Sequence, residues 1–105
     1  MKTSEVFRKA GDVLRERGWC QGGLMNAEGK VCALGALGVA ECRGALSGPS
    51  QEIYRNLSQQ ILDGRLIGAD WNDSPGRTVE EVYAVLDAGY VLALQEEGIE
   101  PEDVL

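Results

Sequence analysis

The segment Val82–Leu94, which reads VYAVLDAGYVLAL, constrains the fold most because Asp87 is its only charged residue. A helix that is apolar nearly all round must be buried among its neighbours or must pair with another chain. Its charge-free run, residues 88–95, is well short of the roughly 20 residues that a membrane span needs. We therefore expect a central helix from Thr78 to about Glu97, and a homodimer through residues 78–97 if an apolar stripe stays exposed.

The residues in front of this helix are typical of a capped helix start. Thr78 and Glu81 have the spacing of a capping box, and Pro75-Gly76 is a turn dipeptide. Gly98 favours termination at the other end. The polar side chains of Trp71–Arg77 form either a binding site or a well-fixed helix start. The second alternative is favoured, because polar residues at turns usually hydrogen-bond the backbone.

The spacing of apolar residues predicts three more helices earlier in the chain. The first runs from a cap at Thr3 or Ser4 to about Arg17, the second from Ala33 to Leu46 and the third from about Ser50 to Leu62. Thr3 or Ser4 would cap the first helix, whose stripe for the core consists of Val6, Phe7, Ala10, Val13 and Leu14. The second helix is rich in Gly and Ala, so it can pack closely against its neighbours.

Between the first two helices, the turn residues Asn26–Gly29 separate two short extended arms and predict a small β-hairpin. A two-stranded hairpin is marginal alone, so it should lean on the helices through Trp19, Leu24 and Val31. The predicted class is mainly α: a four-helix domain over residues 1–98, with a hairpin between helices 1 and 2. Residues 99–105 would form an acidic C-terminal tail.

The charge is unevenly distributed along the chain. Residues 1–77 carry 10 basic and 9 acidic side chains, whereas residues 78–105 carry 8 acidic and no basic ones. Direct nucleic-acid binding needs clustered Lys and Arg and is therefore not expected. The acidic end permits a basic partner or mimicry of nucleic acid. No cationic-then-apolar leader follows Met1, so we expect a cytoplasmic protein.

The reactive residue types give little support for catalysis or for a cofactor. The chain has no histidine and no CxxC pair among Cys20, Cys32 and Cys42, so no metal site is expected. Cys20 also lacks the usual base for a nucleophile. A hairpin would bring Cys20 and Cys32 close enough for a redox-linked disulfide, which a reducing cytosol disfavours. Only the Asp70–Asp73 spacing hints at acid–base chemistry.

Three motifs carry a resemblance to a known family. They are Gly18–Gly22 (GWCQG), Cys32–Leu37 (CxLGAL) and Trp71–Thr78 (WNDxPGRT). In their order and spacing, over roughly residues 6–90, the chain resembles a family of small proteins of unknown function from actinobacteria and their phages. The resemblance implies a compact, mainly helical domain and no assigned activity. The candidate binding or structural residues are Trp19, Cys20, Gln21, Trp71, Asn72, Asp73 and Arg77.

Three functions from different classes follow from these observations. The first is a non-enzymatic protein-interaction or regulatory module, encoded by a phage and acting on a host protein. The second is an acidic nucleic-acid mimic that blocks a basic cleft. The third is a small-ligand or enzyme site at the Trp71–Arg77 loop. We favour a protein partner, because the chain is small, lacks catalytic residue sets and has an unusually apolar fourth helix.

Overall fold

Helices form nearly all of the regular structure in this protein. The structure is a computed structural model that describes residues 2–41, 49–60, 64 and 67–98. In chain order, the elements are α1 (Thr3–Arg17), α2 (Ala33–Glu41), α3 (Pro49–Gln60), a π-helix (Ile67–Asn72) and α4 (Val79–Glu96). The prediction of a mainly helical protein is confirmed.

The core consists mainly of buried side chains from all four α-helices, together with Trp71. The α1 helix packs on α2, α3 and α4, and α4 packs on α1 and α3, so α1 shares the central position that was predicted for α4 alone. Leu86 of α4 is buried and Tyr90 is half-buried. The largest side chains with no appreciable exposure include Phe7, Leu14, Leu37, Leu57 and Leu86. The predicted stripe of α1 is buried along its whole length.

The start of α4 has the predicted capping box. Thr78 Oγ1 accepts a hydrogen bond from the Glu81 amide at 3.3 Å, and the Thr78 amide donates to Glu81 Oε1 at 2.9 Å. This bond from the Thr78 backbone is the main reason that the pKa of Glu81 lies below its usual value. At the other end, Gly98 has a φ of 73° and follows the last turn, as expected for a helix stop.

The start of α1 is capped in a way that local sequence does not reveal. The predicted cap by the Thr3 or Ser4 side chain is wrong: Lys2 is the N-cap and its side chain makes no capping bond. Instead, the Ser4 amide and hydroxyl both donate to the carboxylate of Glu97, at 3.0 and 2.7 Å. A carboxylate is favourable there because free amides and the helix dipole make a helix N-terminus positive.

The predicted hairpin is also wrong. Its turn exists, because Asn26 Oδ1 accepts from the amides of Glu28 and Lys30, each at 3.0 Å. The arms, however, form only two isolated bridges, a parallel one between Trp19 and Val31 and an antiparallel one between Met25 and Val31. The Gly22 amide does not pair with the other arm, because it donates to Asp73 Oδ1 instead. No strand forms in the described part of the chain.

Several predictions fall outside the described residues. They include the second half of predicted helix 2 with Cys42, the last residues of helix 3, and the tail from residue 99 onward. The π-helix was not predicted at all. In the ranges that the structure describes, no helix is long and apolar enough to cross a membrane.

The crossing of α1 and α4 depends on the missing side chain of Gly89. A Cβ added there would overlap the Phe7 ring, whereas a Cβ at Gly11 of α1 would lie 3.7 Å from Arg15 Nη1, an ordinary contact. We expect Gly89→Ala to lower the free energy of unfolding by about 1–3 kcal/mol, since overpacking outweighs the gain in helix propensity. Gly11→Ala should be neutral or stabilising by up to about 1 kcal/mol. Urea unfolding of both variants checks this, and an equal gain for both would contradict the described crossing.

Candidate functional site

Asn72, at the end of the π-helix, is the centre of a buried polar network. Its side chain has no exposed surface. Asn72 Oδ1 accepts from the Trp19 indole Nε1 at 2.8 Å and from the Ala33 amide at 3.0 Å. Asn72 Nδ2 donates to the Cys20 carbonyl at 3.1 Å and to Asp73 Oδ1 at 2.9 Å. Two accepted and two donated bonds are the full capacity of an amide side chain, so this buried group is completely satisfied.

The network joins three segments that are far apart in sequence. Trp19 and Cys20 follow α1, Ala33 begins α2, and Asn72 comes directly before the loop to α4. The first amides of a helix have no partner within the helix. Asn72 therefore caps α2 from 39 residues away, because it supplies the acceptor for Ala33.

The segment Gln21–Met25, called here the 21–25 loop, is fixed to the same site. Gln21 Nε2 donates to the carbonyls of Asn72 and Ser74, at 3.0 and 3.1 Å. The Gly22 amide donates to Asp73 Oδ1 at 3.0 Å. Asp73 thus accepts from both Gly22 and Asn72, so this carboxylate is engaged in holding the loop in place.

The far end of the 21–25 loop is held by its backbone, while its apolar side chains face solvent. The Leu24 carbonyl accepts from the Cys32 amide at 3.1 Å and lies so close to Gly35 that any side chain there would overlap it. Leu24 and Met25 are 50% and 48% exposed. The prediction that Leu24 leans on the helices is therefore wrong, because its backbone, and not its side chain, makes the contact.

Arg77 and Trp71 form a second, adjacent contact. The Arg77 guanidinium stacks on the Trp71 ring, 4.1 Å from its centroid, and Arg77 Nε donates to the Trp71 carbonyl at 2.9 Å. Arg77 Nη1 also pairs with Glu81 Oε2 at 2.9 Å. Trp71 is itself buried. The arginine therefore links the π-helix to the first turn of α4. Its stacking contact, its hydrogen bond and its ion pair are all made to groups of this protein.

Cys20 and Cys32 are both buried free thiols. Burial is the largest cause that raises the pKa of each, which is opposite to the lowered pKa of a typical catalytic cysteine. Cys20 Sγ lies 3.3 Å from the Lys30 carbonyl, and Cys32 Sγ accepts from the Gly35 amide at 3.2 Å. Among the residues that the structure describes, no three side chains of the metal-binding types cluster.

A cavity of about 380 Å³ lies away from this network, between the start of α1, α3 and the end of α4. Its lining residues are Lys2, Thr3, Glu52, Ile53, Ala93, Glu96 and Glu97. None of the seven candidate residues predicted from the motifs lines it. One of its carboxylates, that of Glu97, already caps α1.

The structure brings the predicted candidate residues together, although the contacts that join them were not predicted. Trp19, Cys20, Gln21 and Asp73 all contact Asn72 directly. The sequence did not reveal that the Ala33 amide takes part in the network, because a backbone amide has no side-chain signature. It also did not reveal that Leu24 and Met25 are exposed. The Gly22-Gly23 pair in front of Leu24 was the available signal, because glycines favour a loop over a paired strand.

Fold and network together define a small, mainly helical domain whose three motif segments meet at one buried asparagine. The profile of a family of unknown function, DUF6197, matches residues 1–90, and the chain therefore belongs to this family. No curated protein and no solved structure matches the chain.

Replacing Asn72 tests whether the network supports the fold. Asn72→Asp keeps the shape but places an acceptor against the Cys20 carbonyl and the Asp73 carboxylate. We expect the free energy of unfolding to fall by about 3 kcal/mol or more, because buried acceptors are then left facing each other. Gln21→Glu makes the same amide-to-acid change at an exposed position and should cost about 1 kcal/mol or less. Urea denaturation measures both, and equal small losses would contradict a supporting function for Asn72.

Proposed function

We propose that this protein is a cytoplasmic, non-enzymatic protein-interaction module that binds its partner through the 21–25 loop. The observation that carries the proposal is the half-exposed pair Leu24-Met25 on a backbone that is hydrogen-bonded at both ends. Single exposed apolar residues are common and need no explanation. Two adjacent ones on a fixed loop form a ready contact surface.

The fixed backbone favours binding for an energetic reason. A loop that is ordered before it binds loses less conformational entropy on association than a flexible loop does. Gln21 and Gly22 supply this order at one end, and the Leu24 carbonyl supplies it at the other. Methionine is flexible and polarisable, so Met25 can adapt to an apolar cleft of the partner.

Polar groups that a ligand or enzyme site would use are engaged within the protein. Asp73 accepts from Gly22 and Asn72, and Arg77 contacts Trp71 and Glu81. The predicted alternative of a ligand or enzyme site at the Trp71–Arg77 loop therefore has less support than a protein interface, because its main groups already have partners.

The other predictions about partners stay predictions. For nucleic-acid mimicry, the carboxylates of Glu81 and Glu97 already cap helices, and the acidic residues from 99 onward lie outside the described residues. For a homodimer through residues 78–97, Val91 is the large apolar side chain of α4 that is clearly exposed, at 37%. The resemblance to actinophage proteins makes a host protein of an actinobacterium our proposed partner.

The proposal is tested by removing the apolar pair and comparing it with a matched surface change. The variant Leu24→Ser/Met25→Ser and the control Val91→Ser each remove exposed apolar side chains, one set on the loop and one on α4. Each protein is immobilised, partners are captured from actinobacterial lysate, and the affinity of the purified partner is then measured. We expect the loop variant to lose about tenfold or more in affinity and the control to match the wild type.

Circular dichroism and thermal melting of both variants show that any lost binding is not lost folding. If the wild type retains no specific protein, or if the loop variant binds as tightly as the control, then the proposed surface is wrong.

A further inference from the structure

Cys20 and Cys32 each come directly after one of the two residues of an isolated parallel bridge. The Val31 amide donates to the Gly18 carbonyl and the Cys20 amide donates to the Val31 carbonyl, each at 2.9 Å, which pairs Trp19 with Val31 in parallel. Cys20 and Cys32 are the next residues on the two segments. In extended backbone, the residues that follow a bridged pair lie on the opposite face from that pair, which would place both cysteines on one face.

This register suits a disulfide. Paired segments lie roughly 4.7–4.9 Å apart, and disulfides join Cα atoms that are about 4.4–6.8 Å apart. The two thiols also share one electrostatic environment. Burial is the largest cause of the raised pKa of Cys32, and the neighbouring Cys20 and Asp73 raise it further, while Asp73 also acts on Cys20.

We infer that Cys20 and Cys32 are a dithiol site that a low-molecular-weight disulfide oxidises to an intramolecular disulfide at the base of the 21–25 loop. Cys20 is the first to react, because it is 9% exposed, against 2% for Cys32.

The chemistry is thiol–disulfide exchange in two steps. The Cys20 thiolate attacks one sulfur of the oxidant, so a mixed disulfide forms and one small thiolate leaves and takes up a proton. The Cys32 thiolate then attacks Cys20 Sγ, which forms the protein disulfide and releases the second small thiol. Two protein thiols have then lost two electrons and two protons, and the oxidant has become two thiols.

The crosslink would close a ring over residues 20–32, which contains the 21–25 loop and the Asn26–Gly29 turn. Closing a loop restricts the unfolded chain more than the folded one, in which these segments are already paired. The oxidised protein should therefore melt at a higher temperature than the reduced protein, by at least about 5 °C. This inference does not depend on the proposed interaction surface.

The test uses the full chain with Cys42→Ser, so that Cys20 and Cys32 are the remaining thiols. The folded protein is incubated with oxidised glutathione, and intact mass and peptide mapping identify the product. We expect loss of two hydrogen atoms, a 20–32 crosslink, and return to the starting mass with a reductant. Adding Cys32→Ser should instead leave a glutathione adduct on Cys20, and adding Cys20→Ser should leave the protein largely unmodified.

Three results would overturn the inference. The first is a folded Cys42→Ser protein that stays reduced or stops at the glutathione adduct. The second is a crosslink that forms only when urea unfolds the chain. The third is an oxidised protein that melts below the reduced one, because the thiols would then not be in the register described.

Discussion

The complete hydrogen bonding of Asn72 is the interaction on which the rest of the structure depends. A buried amide that lacked even one partner would destabilise the fold, and here all four bonds are present. Because the partners come from the end of α1, the start of α2 and the loop before α4, one side chain sets how these segments meet.

Apolar packing and polar contacts have separate tasks in this domain. The crossing of α1 and α4, where Phe7 packs on Gly89, forms the body of the protein. Glu97 then ties the last turn of α4 to the first turn of α1. Asn72 and Asp73 hydrogen-bond the 21–25 loop and keep its backbone ordered, although its apolar side chains are exposed.

The features that could be predicted from sequence are those with local causes. The buried stripe of α1 and the capping box at Thr78 and Glu81 each depend on residues three or four positions apart, and both are present. The cap of α1 was mispredicted because its acceptor, Glu97, lies 93 residues from Ser4. The hairpin was mispredicted for a similar reason, since the Gly22 amide donates to Asp73, which lies 51 residues away.

The candidate site follows the same division. Trp19, Asn72 and Asp73 could be selected from sequence because their side chains carry strong donors and acceptors. Their hydrogen-bond partners could not be predicted, because several of them are backbone groups, such as the Ala33 amide and the Cys20 carbonyl. Nearly every residue has such groups, so the sequence does not single them out. Nor does composition distinguish the exposed Leu24 from a buried leucine. The exposure depends on tertiary structure, in which the Leu24 backbone lies against Gly35 and its side chain is left in solvent.

Hydrogen exchange followed by NMR tests the central claim most directly. The Ala33 amide is the first in α2, a position whose amide has no partner within the helix. Our account predicts that the Ala33 amide and the Trp19 indole N–H exchange as slowly as core amides of α4. Both should become fast in Asn72→Ala protein that is still folded, because this change removes the Oδ1 atom that accepts from them. Exchange of both groups at the rate of an unstructured peptide in the native protein would contradict it.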